Sequence, residues 1–280
     1  MRDSTGATVL VTGATDGLGR HVALELANKG ATVLLHGRSR ERCEWVFEEI
    51  QGQTGSGGGS RYYLADLSSL SEVRGLAEQI LSEHDRLDIL VNNAGIIAEE
   101  REETEDGVEL TFAVNYLAHF LLTNLLLPLL LDSAPARIVN VASAGQSPVD
   151  FGNVMLKRGY RGMKAYTQSK LAQVMFTFEL AEHLRGTGVT VNALHPATLM
   201  DTKMVHQTFG HASSTVQEGT EAVVRLAASP ELEGVTGRYF DGTREARADR
   251  QAYDAGARKR LWDLSEKLCR GFLQPLARRQ

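Results

Sequence analysis

The fold is decided near the N-terminus by the stretch Thr8-Val-Leu-Val-Thr-Gly-Ala-Thr-Asp-Gly-Leu-Gly19. Residues 8–11 are β-branched or apolar without alternation, which is typical of a central strand buried on both faces. A glycine-rich turn follows, and then a helical pattern that Gly30 ends. A strand, a glycine turn and a helix in this order predict a cradle for a pyrophosphate. The reason is that the helix N-terminus offers free N–H groups and the positive end of its dipole.

Six further strand patterns alternate with helical patterns along the rest of the chain. They cover residues 31–36, 61–65, 87–91, 137–141, 189–194 and 237–240. We therefore expect an α/β protein with a single-domain Rossmann fold over residues 1–280, in which a doubly wound, seven-stranded parallel sheet carries helices on both faces. The polar, glycine-rich stretch 51–60 predicts a flexible surface loop, and an apolar stripe predicts a C-terminal helix over residues 250–269.

Composition narrows the class of protein. A chain of 280 residues with 42% hydrophobic content is long enough to bury a sizeable core. The net charge of −5 gives no indication of nucleic acid or of an anionic membrane as partner. The most apolar segment, residues 118–131, is too short to cross a bilayer, and the N-terminus has no signal-peptide pattern. Cys43 and Cys269 show no metal spacing. We expect a cytoplasmic protein that uses no metal.

Tyr166 and Lys170 are the strongest candidates for chemistry. Four residues apart at the start of an apolar helical run, they share one helix face. A phenol of pKa about 10 is a poor base at neutral pH, but an ammonium beside it stabilises the phenolate and draws that pKa down. Such a pair can move a proton to or from an alcohol oxygen. A second pair with this spacing, Tyr160 and Lys164, has glycines around it and predicts a loop without a fixed helix face.

Three other stretches accompany this pair. The run Asn92-Asn-Ala-Gly95 follows the fourth strand, where small residues let the backbone pass close to a ligand and amides can pin neighbouring strands. Asn115 lies inside an apolar helical run, where a buried amide needs partners. Ser143 follows the fifth strand, at the sheet edge where α/β proteins bind ligands. With Tyr166 nearby, its hydroxyl can donate a hydrogen bond to a substrate oxygen.

Taken together, these motifs resemble the short-chain dehydrogenase/reductase family over roughly residues 7–242. The family's patterns are Thr-Gly-x-x-x-Gly-x-Gly at residues 12–19, Asn-Asn-Ala-Gly at residues 92–95 and Tyr-x-x-Ser-Lys-x-Ala at residues 166–172. Asn115 and Ser143 stand in the expected order between them. The long segment between Ser143 and Tyr166, and the run at residues 112–123, look like the retinol-dehydrogenase-like branch. Substrate identity does not carry over from that likeness.

The resemblance implies an oxidoreductase that moves the pro-S hydride between a nicotinamide and the carbon of a carbonyl or alcohol, as a carbonyl reductase does. Tyr166 would be the acid/base, Lys170 its pKa partner and ribose contact, and Ser143 the donor to the substrate oxygen. Asn115 would bend its helix and hold a water linked to Lys170. Residues 199–215 resemble the family's mobile substrate lid.

The resemblance also implies a set of cofactor contacts, in which Asp66 and Leu67 line the adenine pocket and Thr198 reaches the carboxamide. Ala197 departs mildly from the glycine that most relatives have after the proline. The implied contacts are Gly13, Thr15, Asp16, Gly17, Leu18, Gly19, Arg38, Asp66, Leu67, Asn92, Ala94, Gly95, Tyr166, Lys170, Pro196 and Thr198.

Two residues give opposite indications of whether the protein uses NADP(H) or NAD(H). Arg38 stands where an arginine can accommodate the 2′-phosphate of NADP, and no acidic residue precedes it to grip the ribose of NAD. This favours NADP(H). Asp16 favours NAD(H), because many relatives that use NADP place a basic residue just before the second glycine.

Two alternatives and one partner question stay open at this point. The chain could be an NAD-dependent alcohol dehydrogenase of the same family, or a nucleotide-binding regulator that kept the fold without the chemistry. Many relatives pair through their two long helices, and an apolar outer face near residues 121–131 would be compatible with a homodimer.

Overall fold

A single mixed sheet organises the protein. The computed structural model describes residues 4–54, 59–274 and 276, and within them eight strands lie in the order β3-β2-β1-β4-β5-β6-β7-β8. All neighbouring strands are parallel except β7 and β8. The strands are β1 (Thr8–Val11), β2 (Thr32–Gly37), β3 (Arg61–Leu64), β4 (Ile89–Asn92), β5 (Ala136–Val141), β6 (Val189–His195), β7 (Arg238–Asp241) and β8 (Arg244–Ala246).

Helices cover both faces of the sheet, and each face has its own hydrophobic cluster. One layer contains α1, α2 and α8, and the other contains α3, α5, α6 and α9. The helices are α1 (Gly17–Asn28), α2 (Arg40–Thr54), α3 (Leu70–Glu83), α4 (Leu110–Phe112), α5 (Ala118–Asp132), α6 (Gly162–His183), α7 (Lys203–Phe209), α8 (Val216–Ala228) and α9 (Ala255–Leu268). The predicted α/β class with a doubly wound sheet is confirmed.

Three elements differ from the sequence prediction. The short antiparallel strand β8 was missed, because three residues are too few to show a periodic pattern. Helix α2 continues to Thr54, so it takes up part of the stretch 51–60 predicted to be a loop. Residues 55–58 of that stretch lie outside the described residues. The predicted C-terminal helix is divided into a 3-10 turn, Arg250–Tyr253, and helix α9.

Helices α4 and α5 form one continuous helix through a π-helical turn, Ala113–Leu117, which has Asn115 at its centre. The resulting helix, Leu110–Asp132, has 23 residues and a mean hydropathy of 1.6 in its most apolar window. The helix is therefore longer than residues 118–131 indicated, and its length alone does not exclude a membrane span. However, 78% of that window is buried inside the structure, as in the core helix of a folded domain.

The apolar face considered for a homodimer is largely covered within the chain. Most leucines of residues 121–131 are buried in the core, where α5 packs against α3. On the neighbouring surface, α9 packs against α6 and places Trp262 beside the rings of Phe120 and Phe176, at centroid distances of 5.1 and 6.0 Å. Most of this face is thus already used by the chain itself.

Candidate active site

The glycine turn after β1 opens the N-terminus of α1 toward the carboxyl ends of the strands. Gly13 and Gly17 have φ values of +64° and +47°, which favour glycine strongly. A Cβ on Gly19 would lie 2.2 Å from the Gly13 carbonyl oxygen, so a side chain there cannot fit. The carboxylate of Asp16 accepts a hydrogen bond from Gly17 N at 2.7 Å and caps the helix.

Hydrogen bonds join this turn to the segment after β4. Thr12 Oγ1 accepts from the backbone N–H groups of Asn93 and Ala94 at 2.9 and 3.0 Å. The Asn93 amide donates to the carbonyl oxygens of Thr12 and Gly13. The two motifs that sequence analysis singled out separately therefore form one structural unit.

The sequence predicted that the asparagine pair pins neighbouring strands and lies close to a ligand, and Asn92 and Asn93 differ in this respect. The Asn92 side chain is fully buried and donates to Thr123 Oγ1 at 3.0 Å and Asn140 Oδ1 at 2.8 Å. It pins strands together and does not line the cleft, whereas Asn93 does. Asn92, predicted as a cofactor contact, therefore lies outside the lining of the cleft and its neighbour lies in it, because adjacent residues at a strand end point to different sides.

His36 holds the glycine turn in place through a hydrogen bond to its backbone, a role that sequence analysis missed. Its Nδ1 accepts from Gly13 N at 3.2 Å, and its Nε2 lies 3.1 Å from the carbonyl oxygen of Ala65. Burial lowers the pKa of His36 to about 4, so the ring is neutral at neutral pH. A neutral ring that accepts through Nδ1 donates through Nε2, and both contacts are then satisfied.

A cleft of about 1060 Å³ opens along the carboxyl ends of the strands. That volume is at the upper end of the range for ligand pockets, and is large enough for a dinucleotide together with a small substrate. Every predicted site residue except Asn92 and Asn115 lines it. The cleft brings together Gly13, Thr15, Asp16, Gly17, Leu18, Gly19, Arg38, Asp66, Leu67, Ala94, Gly95, Ser143, Tyr166, Lys170, Pro196 and Thr198.

At the end of β2, only one of two nearby arginines faces the cleft. Arg38 lines the cleft, with its side chain 66% exposed and Nη1 3.6 Å from an oxygen of Asp66. Arg40 turns away to bind the Tyr62 hydroxyl at 3.0 Å and Glu44 at 3.7 Å. Arg38 is thus the cation at this end of the cleft, and neither His36 nor Gly37 before it is acidic.

Tyr166 lies in the second turn of α6 and lines the cleft together with Ser143. The Ser143 hydroxyl lies near the phenol and accepts a hydrogen bond from Gly145 N at 3.0 Å. Burial raises the pKa of the Tyr166 phenol, and the nearby Ser143 hydroxyl opposes that rise without cancelling it. The two predicted residues therefore meet although they come from different elements.

Lys170 is almost fully buried one turn further along α6. Its ammonium donates to the carbonyl oxygen of Val141 at 2.8 Å and to Gln173 Oε1 at 2.9 Å, and lies 5.6 Å from the centre of the Tyr166 ring. Burial lowers the pKa of Lys170 to about 7. The predicted fall in the Tyr166 pKa is not seen, because loss of solvent outweighs the effect of an ammonium at this distance that is only partly charged at neutral pH.

Asn115 lies behind the cleft rather than in it. Its amide exchanges hydrogen bonds with the backbone N–H and C=O of Ile96 at 2.8 and 3.0 Å, and donates to Ser169 Oγ at 3.0 Å. Among the described residues no hydrogen bond joins it to Lys170. Instead, Lys170 reaches Gln173, which follows it by three residues on the same helix face, a spacing visible in the sequence but overlooked.

The remaining wall of the cleft comes from the segment after β6. His195 Nε2 lies 3.0 Å from the Thr198 hydroxyl, and burial lowers the pKa of this histidine. The predicted lid contains α7, which Thr202 caps, and its residues Lys203, Met204 and Phe209 line the cleft. Sequence analysis had assigned no ligand contact to these three residues.

The described part of the chain does not support metal-ion or thiol chemistry. No group of three His, Cys, Asp or Glu side chains in it could hold a metal ion. The thiols of Cys43 and Cys269 are buried, and burial raises the pKa of Cys43 to about 11 and that of Cys269 to about 12. They are therefore protonated at neutral pH.

Comparison with known proteins identifies the family to which this chain belongs. The short chain dehydrogenase family matches residues 7–212. The chain belongs to the short-chain dehydrogenase/reductase family. Retinol dehydrogenase 13 of Mus musculus is 43% identical over 94% of this chain and 84% of its own length, and the Homo sapiens protein is 40% identical over 98% and 88%. The chain is thus a retinol-dehydrogenase-like member, and an NAD(P)-dependent oxidoreductase that acts on an alcohol or carbonyl group.

Solved structures of the family agree with this fold. An uncharacterized protein from Mycobacterium paratuberculosis aligns over 96% of both chains, with a TM-score of 0.78 and 30% identity. A short-chain dehydrogenase from Escherichia coli complexed with NADPH aligns over 86% of this chain and 99% of its own, with a TM-score of 0.71 and 28% identity. Members of the family with this fold therefore bind a nicotinamide dinucleotide.

Proposed function

We propose that the protein is an NADP(H)-preferring reductase of apolar aldehydes or ketones, acting reversibly on the corresponding alcohols, with Tyr166 as acid/base. The observation that carries the proposal is the neighbouring pair of Ser143 and Tyr166 hydroxyls, which shares one cleft with the glycine turn. A donor for the substrate oxygen and an acid for the same oxygen thus lie side by side.

The cleft fits the nicotinamide cofactor that this chemistry needs. The glycine turn leaves no room for side chains where the pyrophosphate would approach, and the N-terminus of α1 opens toward that place. Arg38 and Asp66 lie at one end of the cleft, and Lys170 and Thr198 at the other. Bound in this cradle, NADPH supplies the hydride and NADP⁺ accepts it.

The chain's own residues then handle the oxygen and its proton. In the reductive direction, the Ser143 hydroxyl donates a hydrogen bond to the carbonyl oxygen and holds it against Tyr166. The Tyr166 phenol gives its proton to that oxygen as the carbon is reduced, and becomes a phenolate. The charged form of Lys170 stabilises this phenolate from one helical turn away. In the oxidative direction, the phenolate takes the proton back.

The preference for NADP(H) is inferred from Arg38. It is the cation at the end of β2 that faces the cleft, and its single described ion pair, with Asp66, is long and half-exposed. Asp16, which pointed to NAD(H) in the sequence, caps α1 in the structure. That structural role is independent of the cofactor, so it weakens Asp16 as an argument for NAD(H).

The apolar nature of the substrate is inferred from the wall of the cleft beyond Tyr166. This part carries aliphatic, thioether and aromatic side chains from four different segments, which suit a bulky hydrocarbon group better than a sugar or a charged acid. The names of the retinol dehydrogenases place a retinoid among the substrates worth testing. The residues are Ile96, Ile97, Val114, Met163, Met200, Met204 and Phe209.

A titration combined with a turnover assay tests the proposal. We expect NADPH to bind more tightly than NADH by nicotinamide fluorescence, and Arg38→Ala to weaken NADPH binding about 10- to 100-fold with little effect on NADH. Arg40→Ala is the matched control and should change neither. If Arg38→Ala lost affinity for NADPH and NADH equally, the assignment of Arg38 to the 2′-phosphate would be wrong.

The turnover assay uses retinaldehyde and a panel of aliphatic and aromatic aldehydes and ketones. Reduction of apolar members with NADPH supports the proposal. Tight cofactor binding without turnover of any of them would favour the alternative of a nucleotide-binding regulator. Turnover that requires NAD⁺ and an alcohol would favour the NAD-dependent alcohol dehydrogenase.

A further inference from the structure

A chain of buried polar side chains leads from Lys170 away from the cleft. The Lys170 ammonium donates to Gln173 Oε1 at 2.9 Å, and Gln173 Nε2 lies 3.2 Å from His119 Nδ1. His119 Nε2 lies 3.2 Å from Thr12 Oγ1, the hydroxyl that holds the segment after β4. None of the four residues is more than 4% exposed. The chain crosses from α6 through α5 to the end of β1.

Lys170 depends on neutral acceptors, because its surroundings contain no anion. Two titratable groups face it, Tyr166 from its own helix and His119 from α5, and His119 in turn faces His36 on β2. None of these three is negatively charged at neutral pH, and no carboxylate in the described part of the chain forms an ion pair with Lys170. A buried ammonium without acceptors would lose its proton. Among the described residues, Gln173 Oε1 is the one side-chain acceptor that the Lys170 ammonium hydrogen-bonds.

The orientation of Gln173 is fixed by Lys170. An amide with its NH₂ group toward Lys170 would face an ammonium that also donates, so Oε1 must point to Lys170. Burial and the charge of Lys170 lower the pKa of His119 to about 3, so its ring is neutral. His119 Nδ1 lies 3.0 Å from the Asn115 carbonyl oxygen, which can only accept, so the ring donates from Nδ1 to that oxygen. Gln173 Nε2 packs against this ring, 3.2 Å from Nδ1.

We propose that Gln173 is a positioning residue that holds the Lys170 ammonium one helical turn from Tyr166 and keeps it charged. The proposal rests on the proposed function, since it concerns the charge that Tyr166 needs during turnover.

The test measures the charge of Lys170 directly and needs no substrate. Protein labelled with ¹³Cε-lysine is titrated by NMR, and the Lys170→Arg variant assigns the signal. Removal of the acceptor in Gln173→Met should lower the Lys170 pKa by about one pH unit, and a carboxylate of the same size in Gln173→Glu should raise it by about one unit or more. Opposite shifts from two changes at one position are not expected of a residue that only fills space.

Gln168→Met is the matched control. Gln168 is a second buried glutamine on α6, which binds the backbone of Asp150 and Val154 and does not contact Lys170. Its loss should destabilise the fold to a similar degree and leave the Lys170 pKa unchanged. Shifts in the same direction for both Gln173 variants, or no shift, overturn the proposal. If Gln173→Met does not fold, Gln173→Glu alone decides, and an unchanged or lowered pKa there overturns it.

The same variants separate this proposal from the proposed function. If the wild-type protein reduces carbonyls, the decline of kcat/KM at high pH should begin at lower pH in Gln173→Met and at higher pH in Gln173→Glu. If the wild-type protein reduces none, the proposed function fails, while the NMR titration still decides the role of Gln173.

Discussion

The chain carries two Tyr-x-x-x-Lys pairs six residues apart, and the structure places them in opposite surroundings. Tyr166 and Lys170 lie inside α6, with the phenol at the cleft against Ser143 and the ammonium buried. Tyr160 lies just before α6, and Lys164 lies exposed in its first turn. Neither residue of the second pair lines the cleft.

The partners of the two phenols show why identical spacing leads to different chemistry. The Tyr160 hydroxyl donates to the carbonyl oxygen of Ala98 at 2.9 Å and lies 3.4 Å from the buried carboxylate of Glu109. Both partners accept hydrogen bonds and both favour a protonated phenol, although the nearby Thr111 hydroxyl acts in the opposite direction. The hydroxyl near Tyr166 belongs to Ser143, which lines the cleft and can stabilise a phenolate there. The comparison teaches that an i,i+4 pair is placed for acid/base chemistry only where other elements supply a cleft, a donor and burial of the lysine.

The largest expected difference is in turnover after loss of each phenol. Tyr166→Phe should lower kcat/KM for carbonyl reduction about 10³-fold and leave NADPH binding within about threefold, since it removes the acid and nothing else. Tyr160→Phe should keep turnover within about threefold. Steady-state kinetics and cofactor titration of both variants measure this. Near-normal turnover in Tyr166→Phe would show that the two tyrosines do not differ in catalytic role.

Loss of the donor beside Tyr166 should have the next largest effect. Ser143→Ala removes the hydroxyl that holds the substrate oxygen, and should lower kcat about 10²-fold with a smaller change in KM. Ser147→Ala is a suitable control, because Ser147 bonds to Thr167 Oγ1 and does not line the cleft. A loss confined to KM would mean that Ser143 only binds substrate.

The two lysines should differ in the pH dependence of reduction. Burial lowers the pKa of Lys170 to about 7, so its charged form is present below that pH and is lost as the pH rises through it. We therefore expect kcat/KM for reduction to be flat below about pH 7 and to fall about tenfold for each pH unit above it. Lys164→Met should leave this profile unchanged. A profile that stays flat to pH 9 would show that Lys170 keeps its charge during turnover.

The smallest effect is on stability and concerns the second pair. Tyr160→Phe loses the hydrogen bond to the Ala98 carbonyl oxygen, which joins the start of α6 to the segment after β4. It should lower the free energy of unfolding by about 1 kcal/mol. Urea denaturation measures the change. No loss of stability would mean that Tyr160 has no structural role either.

Much of the fold and of the site could be predicted from the sequence, because those features are encoded locally. The run of residues 8–19 predicts a strand, a turn and a helix from periodicity and glycine placement alone, and β1 and α1 form there. The parallel alternation of strands and helices then brings residues after different strands to one edge of the sheet. For this reason Ser143 and Arg38 could be assigned to one edge of the sheet before any contact was known, whereas the place of Tyr166 came from its helix spacing and the family resemblance.

Only the tertiary structure decided which polar side chains meet. Asn92 and Asn93 are adjacent, yet one pins strands and the other lines the cleft. His119 and Gln173 stand far apart in the sequence and lie in contact behind Lys170. The pKa of Tyr166, the packing of Trp262 against Phe120 and the placement of the two Tyr/Lys pairs also depend on contacts between distant elements. Periodicity along a chain determines the type of an element and its buried face, but burial, donors and charges at a given atom are supplied by elements distant in sequence.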